Sequence, residues 1–378
     1  MTNFSFSRSA LSLALASALV AAPLPTRAQD PKGDPPKQDA PKAAAKAKPA
    51  RSGFAEARTG EMPAGAADQI TPETQKAIEA GLAWLGKGQN ADGSYGTGTY
   101  RGNVAVTSLA GLAMMASGSS PGRGPYGKQI DAALQYIMDN TSASGFISVQ
   151  NAAVHGPMYG HGFGALFLAE AYGMTRRPEI REKLEKAIRL IIDTQNGEGG
   201  WRYQPRRDDA DLSVTICQIN ALRAARNAGI FVPKETVDAC IRYVKQSQNT
   251  DGGFRYMLSG GASAFPRSAA GVVALYSAAV YDSKEVDLGI GYLKQYMNEI
   301  KFSNRYSHYF YGHYYAAQAM WIRGGDDWNA WYPAIRDELV NKRAANGSWP
   351  DQIGPEYGTA MALIILQMPN NFLPIFQR

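Results

Sequence analysis

The feature that most constrains the fold of this chain is a junction that recurs along it. Each copy has a bulky and an aliphatic residue at a helix end, followed at fixed spacings by Gln, Gly and an aromatic residue. Three copies keep the full pattern: Gln89, Gly93 and Tyr95; Gln195, Gly199 and Trp201; Gln248, Gly252 and Phe254. A repeat of this kind restricts the chain to architectures in which similar units pack side by side.

Weaker copies of the junction complete the series. Thr141, Met297 and Arg343 stand where the strong copies have Gln, so that six markers are spaced 46 to 54 residues apart. We therefore predict six units of about fifty residues within residues 68–378.

Each unit contains two helical patterns of different character. The stretch before a junction is amphipathic with charged residues, as at 181–194 and 234–248, whereas the stretch after it is apolar nearly all round, as at 104–116, 163–172, 269–280 and 357–366. A helix that is apolar all round has to be enclosed. The pattern predicts an all-α fold, an α6/α6 toroid in which six inner helices are surrounded by six outer ones. Their positive N-terminal ends then meet at one rim together with the junctions.

The N-terminal residues differ from the rest of the chain. Arg8 precedes an apolar run from Ala10 to Ala22, and a small-residue site follows near Ala28. This is typical of a secretory signal peptide at 1–28, and the run is shorter than the roughly 20 residues of a transmembrane helix. Residues 29–67 are rich in Ala, Pro and Lys, which predicts a disordered linker. We expect an exported protein, in the periplasm, at the cell surface or secreted.

Charge and cysteine content exclude two further classes. The signal peptide and linker carry most of the formal net charge of +6, so the folded part lacks the basic footprint of a nucleic-acid-binding protein. Two cysteines, Cys217 and Cys240, are too few for a disulfide scaffold. Either one bridge or two buried thiols would fit an exported protein, and their unmatched positions on neighbouring helices favour buried thiols.

Asp209 and Asp211 open one inner helix within the sequence Asp-Asp-Ala-Asp-Leu-Ser at 208–213. They are candidates for acid chemistry, because neighbouring groups can stabilise the charge that a carboxyl leaves when it gives up its proton. The alternative is a helix cap, neutralised by nearby arginines such as Arg202.

Two histidines, His161 and His313, each follow a Tyr-Gly pair at the start of an inner helix. They should reach the same rim as Asp211, and imidazole with carboxylate suits zinc. Capping or packing is the alternative, and we predict no metal ligands and no cofactor, with zinc kept as the exception.

Aromatic residues cluster around the junctions and the starts of the inner helices. They are candidates for holding an apolar ligand or stabilising a cation, or they simply fill a core. We predict these ligand-binding residues: Tyr159, Phe163, Tyr203, Tyr311, Tyr314 and Tyr357. Arg267, which opens the fourth inner helix, is a further ligand-binding candidate, for an anion, and pairing with Asp211 is its alternative role.

The junction resembles the QW motif of squalene and oxidosqualene cyclases. The six-unit plan is similar to the α/α toroid of those cyclases, of the β subunits of protein prenyltransferases and of thioester-containing complement domains. This resemblance covers residues 70–378 and implies an isoprenoid or other hydrophobic ligand in the barrel, with cyclase or transferase activity.

The same resemblance assigns roles residue by residue. The cyclases use an Asp-x-Asp-Asp-Thr segment, onto which Asp209 and Asp211 match, while Leu212 replaces the next Asp and Ser213 the Thr. It implies Asp211 as the general acid, tuned by Asp209 and by His161 or His313. The alternative function is a non-catalytic exported scaffold that binds protein, glycan or lipid through its rim.

Overall fold

Twelve α-helices in two layers form the part of the chain that the structure, a computed structural model, describes: residues 65–150, 156–299 and 308–377. The predicted signal peptide at 1–28 and nearly all of the predicted linker at 29–67 lie outside these ranges, so export stays a prediction. Within the described ranges, no helix combines the length and the apolar character needed to cross a membrane.

The inner layer consists of every second helix. Neighbouring inner helices contact each other around the ring, and the last one contacts the first, which closes the barrel. The inner helices are α2 (Val104–Met115), α4 (Pro157–Thr175), α6 (Leu212–Asn227), α8 (Phe265–Ser277), α10 (Tyr309–Arg323) and α12 (Pro355–Leu366).

The outer layer is antiparallel to the inner one. Its helices are α1 (Pro72–Lys87), α3 (Gly127–Asp139), α5 (Pro178–Thr194), α7 (Lys234–Gln246), α9 (Lys284–Glu299) and α11 (Gly325–Lys342). The predicted α6/α6 toroid of six helical hairpins is confirmed.

Burial separates the two layers as the hydrophobic pattern predicts. Helix α4 is buried on every side over the long run from His161 to Tyr172. Helix α5 buries one stripe, formed by Ile180, Leu184, Ala187, Ile188 and Ile191, and exposes its charged face. The inner helices are therefore enclosed by the outer ones.

Two inner helices begin earlier than their apolar stretches. Helix α4 begins at Pro157 rather than at 163, and α8 begins at Phe265 rather than at 269. Pro157 and Pro266 lie in the first turn of these helices, where a missing N–H costs nothing and the fixed φ favours the helix. The extra turns bring further side chains to the rim, the end of the barrel at which the inner helices begin.

The junction at Gln195 joins an outer helix to the next outer helix. Gln195 Nε2 donates to the carbonyls of Gly199 and of Thr236, both at 2.9 Å, and Thr236 lies in the first turn of α7. A Cβ at Gly199, whose φ is 98°, would lie 2.2 Å from the carbonyl oxygen of Ala239. Gln89 and Gln248 make the same pair of bonds. The Gln of each junction thus joins backbone groups of consecutive outer helices, which is a structural role.

The end of the barrel opposite the rim is closed by residues 373–377, and we call it the closed end. Phe376 is buried, with its ring 6.5 Å from that of Tyr314. Glu170 Oε2 accepts from the Ile375 N–H at 3.5 Å, and the buried Arg223 donates to the carbonyl of Gln377. The barrel is therefore filled from this end.

Candidate functional site

A second repeated contact, which we call the staple, fixes the rotation of each inner helix. The backbone N–H at the aromatic position of a junction donates to a side chain in the first turns of the next inner helix. The staples are Tyr95 to Thr107 (2.9 Å), Ile147 to His161 (3.2 Å), Trp201 to Thr215 (3.1 Å), Phe254 to Ser268 (2.9 Å) and Trp349 to Thr359 (3.0 Å). Each staple residue consequently faces the outer layer.

The staple also decides which residue faces the axis of the barrel. Two residues along an α-helix are about 200° apart, so the residue two positions before a staple points away from the outer layer. In all six inner helices this residue lines one cavity at the rim: Ala105, Tyr159, Ser213, Pro266, Tyr311 and Tyr357. His313 has the corresponding position in α10, and the aromatic position of the junction before it, residue 303, lies outside the described residues.

The cavity has a volume of about 1050 Å³ and a largely apolar wall. Six of the seven predicted ligand-binding residues line it: Tyr159, Phe163, Tyr203, Arg267, Tyr311 and Tyr357. The seventh, Tyr314, does not. It is buried in the core between Phe163 and Phe376, with ring centroids 6.3 and 6.5 Å away. The residue one turn after the axis-facing Tyr311 is Tyr315, and Tyr314, one residue earlier, points in a different direction.

Arg267 is the only Lys, Arg, Asp or Glu among the described residues that line the cavity. Its Nε donates to the Phe254 carbonyl at 3.0 Å and its NH2 group to the Ala262 carbonyl at 2.5 Å. These bonds hold the guanidinium against the backbone of the fourth junction. The pairing of Arg267 with Asp211 that the sequence allowed is therefore not what the structure shows.

Asp211 caps helix α6 and is fully buried. Its Oδ1 accepts from the Val214 N–H at 2.9 Å, and its own N–H donates to the Trp201 carbonyl at 3.0 Å. Burial raises the pKa of this carboxyl to about 6, although the Val214 N–H, Arg202 and Tyr256 favour its charged form. Asp211 is thus the cap of this helix, and the cap carries a carboxyl that is partly protonated near neutral pH.

Arg202 and Tyr256 lie next to the carboxyl of Asp211, and Tyr203 is hydrogen-bonded to Tyr256. Arg202 Nε lies 3.8 Å from Oδ2, and no hydrogen bond of normal geometry joins Tyr256 to this oxygen. The Tyr203 and Tyr256 hydroxyls are hydrogen-bonded to each other, and the guanidinium lies 5.2 and 6.0 Å from their rings. Both tyrosines line the cavity and Asp211 does not. The carboxyl therefore lies behind a tyrosine pair.

Tyr256 is a cavity residue that was not predicted, although the repeat contains the signal for it. Tyr203 follows the junction aromatic Trp201 by two positions, and Tyr256 follows Phe254 by two positions. The two tyrosines are thus equivalent residues of successive units, and this equivalence explains why their side chains meet.

The predicted tuners of Asp211 lie elsewhere. Asp209 is half exposed and forms an ion pair with Arg202, so it acts on Asp211 only through that guanidinium. His161 is fully buried, with Nδ1 accepting from Ile147 and Nε2 lying 3.2 Å from the Ala187 carbonyl. These contacts aim the ring at the outer layer, because His161 is a staple.

His313 is also placed away from Asp211. Its ring packs against Tyr309 and Phe265, with centroids 4.5 and 5.1 Å away. Burial lowers the pKa of His313 to about 3 and that of His161 to about 4, so both are neutral at pH 7. The Tyr-Gly-His triplets mark a repeated position of the fold and do not bring two imidazoles to one site.

The described residues give no support to a zinc site. Nowhere within 65–150, 156–299 and 308–377 do three His, Cys, Asp or Glu side chains gather as metal ligands would. Cys217 and Cys240 are two buried thiols that form no disulfide bond. Their unmatched positions on neighbouring helices favoured this state.

The chain resembles known proteins in sequence over part of its length and in structure over most of it. No protein-family model matches the chain. Part of it is 25% identical to the drimenyl diphosphate synthase of Streptomyces showdoensis over 173 residues, which is 44% of this chain. The match spans 30% of the length of that relative.

Solved structures resemble nearly the whole described region. A variant of the type II terpene cyclase MstE from Scytonema, in complex with its substrate geranylgeranyl dihydroxybenzoate, gives a TM-score of 0.55 at 14% identity, covering 82% of this chain and 99% of that one. An α-1,6-mannanase of Salegentibacter, in complex with α-1,6-mannotriose, gives 0.59 at 6% identity, covering 79% and 99%. The cellobiose 2-epimerase of Bacillus thermoamylovorans gives 0.57 at 12%, covering 79% and 98%. The chain has the α/α toroid fold, which terpene cyclases share with enzymes that act on sugars.

Proposed function

We propose that this toroid binds an isoprenoid-type hydrophobic ligand in its rim cavity and that Asp211 acts as a general acid on it, as in a terpenoid cyclase. The observation that carries the proposal is the cavity itself. Its volume of about 1050 Å³ lies at the upper end of ligand pockets, which span roughly 300–1,000 Å³. Its wall presents tyrosine and phenylalanine rings together with aliphatic side chains.

The lack of a carboxylate in the described wall argues against a glycosidase. Glycoside hydrolysis uses two carboxyl groups that flank the sugar bond, and none of the described lining residues is Asp or Glu. Aromatic rings instead suit an apolar chain and a cation that forms along it. Similarity of fold to mannanases therefore does not extend to the chemistry of this cavity.

Asp211 has two of the properties that an alkene-protonating acid requires. Its pKa of about 6 leaves a fraction of the carboxyl protonated at neutral pH. The Val214 N–H, 2.9 Å from Oδ1, stabilises the carboxylate that remains after proton transfer. The proton adds to an alkene carbon, and the resulting carbocation lies against the tyrosine rings. Delivery requires the Tyr203–Tyr256 pair to part, because Asp211 itself does not line the cavity.

The alternative is a non-catalytic scaffold that holds a ligand without converting it. The burial of Asp211 behind two tyrosines favours this alternative, since a ligand in the cavity as it stands does not touch the carboxyl. Both functions require a ligand in the cavity, so that binding and turnover have to be measured separately.

The test uses native mass spectrometry and product analysis with farnesol, geranylgeraniol and α-1,6-mannotriose as probes. We expect stoichiometric binding of a prenyl alcohol and none of the trisaccharide. Asp211→Asn keeps a good cap and should keep binding while it abolishes conversion. Asp238→Asn, on the exposed face of α7, is the matched control and should convert ligand like the unaltered chain.

Each outcome decides between the alternatives. Binding of the trisaccharide but of neither prenyl alcohol would refute the ligand class. Binding without conversion by the unaltered chain would support the scaffold. Conversion by Asp211→Asn at the unaltered rate would remove Asp211 from the mechanism.

A further inference from the structure

Tyr311 is the one axis-facing residue whose side chain crosses to a helix that is not its neighbour in the ring. It is the third residue of α10, and its hydroxyl donates to the carbonyl of Ser213, the second residue of α6, at 3.1 Å. Helix α8 lies between these two helices in the ring. The phenol therefore spans one side of the barrel at the level of the first turn.

Small neighbours make this span possible. The axis-facing residues of α6 and α8 are Ser213 and Pro266, whereas α4, α10 and α12 supply tyrosines at the same position. The small residues of α6 and α8 leave room for the Tyr311 ring between α10 and α6. Its hydroxyl, tied to a backbone carbonyl, then has one defined orientation.

A second layer of side chains lies directly beneath Tyr311. Tyr315 is one turn deeper on α10, with its ring centroid 4.9 Å from that of Tyr311. The Tyr315 hydroxyl lies 3.5 Å from Cys217 Sγ on α6. Neither Tyr315 nor Cys217 lines the cavity, whereas Phe163 lines it from the same deeper level of α4. The cavity is thus deeper beside α4 than beneath Tyr311.

We propose that Tyr311 limits the depth of the cavity and thereby selects the length of the apolar ligand. The length selection rests on the proposed function. The depth limit does not, because it depends only on how Tyr311 packs above Tyr315 and Cys217. Removing the phenol should open a path from the rim to Tyr315 and to the thiol of Cys217.

The depth limit is tested by thiol modification, without any ligand. The intact chain is treated with methyl methanethiosulfonate, and the rates at Cys217 and Cys240 are read by peptide mass spectrometry. Cys240 is fully buried on α7, outside the inner barrel, so it reports general loosening of the fold. Tyr311→Ala should raise the Cys217 rate about tenfold, as expected for a thiol that gains access, and leave Cys240 unchanged.

Two further variants keep this test decisive. Tyr311→Phe retains the ring over Cys217 and should retain the slow rate. Tyr311→Leu keeps an apolar side chain that is too short to reach α6, so it should also expose Cys217. This variant keeps the test valid if Tyr311→Ala does not fold. An unaltered Cys217 rate in both the Ala and the Leu variants would overturn the depth limit.

Length selection is tested with farnesol, geranylgeraniol and geranylfarnesol, which differ by one isoprene unit each. Tyr311→Ala should shift the ratio of dissociation constants by about tenfold toward the longer alcohols, the lower end of the roughly 10- to 200-fold effect that one methylene has in an apolar pocket. Tyr357→Ala removes a ring of the wall and should weaken all three alike. Failure of the unaltered chain to bind any alcohol would refute the ligand class, whereas an unchanged ratio in Tyr311→Ala would refute the length selection alone.

Discussion

The rim and the closed end of the barrel are held by contacts of different kinds. At the rim, staples such as Trp201 to Thr215 and Phe254 to Ser268 recur from unit to unit. At the closed end, the contacts occur once each and join distant parts of the chain. Arg223 donates to the carbonyl of Gln377, 154 residues later, and Ile375 donates to Glu170, 205 residues earlier.

This difference has consequences for what each end can tolerate. A repeated contact is one of several that hold the same rim, and its position accepts different side chains, as Thr, Ser and His at the staple show. The titratable groups of the closed end, Glu170 and Arg223, are buried and have no counterpart in other units. We therefore expect changes at the closed end to cost more stability than changes at the rim.

The largest effect is expected for Arg223→Met. This variant keeps the length of the side chain but removes the donors to the carbonyls of Tyr276 and Gln377. Hydrogen bonds from a charged group are worth roughly 1.5–3 kcal/mol each, so the free energy of unfolding should fall by about 3 kcal/mol in urea denaturation. Arg189→Met, on the exposed face of α5, is the matched control and should change it by less than about 0.5 kcal/mol. Equal losses in both variants would contradict the comparison.

The next effect is a pH dependence caused by Glu170. Burial raises its pKa to about 8, although the Ile375 N–H and Arg223 favour the charged form. Below the ordinary pKa of 4.5 the carboxyl is protonated in the folded and in the unfolded chain. Burying the neutral carboxyl then costs no loss of charge, so the folded chain is at its most stable with respect to this group. As pH rises toward 8, the unfolded chain loses this proton while the folded chain keeps it, so stability falls by up to about 1.4 kcal/mol per pH unit.

Glu170→Gln should remove this part of the pH dependence. Urea denaturation at pH 5 and pH 7 gives the decrease in the free energy of unfolding between these two pH values. This decrease should be smaller by roughly 2 kcal/mol in the variant than in the unaltered chain. Glu235→Gln, at an exposed position of α7, should keep the original loss. Parallel pH profiles for Glu170→Gln and the unaltered chain would show that the closed end does not hold a protonated carboxyl.

The same difference explains what could be predicted from the sequence. The rim repeats, so three junctions such as that of Gln195, Gly199 and Trp201 sufficed to predict the toroid and to bring four of the five named tyrosines to the rim cavity. Even Tyr256 was within reach, as the counterpart of Tyr203. The closed end does not repeat, and nothing in the sequence around Glu170 or Arg223 points to contacts with residues 373–377.

The histidines show how a repeat can mislead. Tyr-Gly-His occurs at 159–161 and at 311–313, which suggested a shared chemical role, but Tyr-Gly-Thr occurs at 357–359 in α12. Thr359 accepts from the Trp349 N–H at 3.0 Å, as His161 accepts from Ile147. In two of the three triplets the third residue is therefore an acceptor for a junction N–H, and a hydroxyl serves as well as an imidazole.

The smallest effect should come from exchanging this acceptor, and it tests the rim half of the comparison. His161→Thr supplies the hydroxyl found at 107, 215 and 359, whereas His161→Val has nearly the same shape and cannot accept. Both variants lose the contact of Nε2 with the Ala187 carbonyl and leave a cavity of similar size. These two losses of stability are therefore equal in the Thr and Val variants and do not affect the difference between them. The Thr variant should be more stable by about 1 kcal/mol, the usual worth of a buried hydrogen bond. Equal stability of the two variants would mean that His161 contributes packing alone. A loss of ligand binding in His161→Thr would indicate that this histidine contacts the ligand, which its bonds to Ile147 and Ala187 do not suggest.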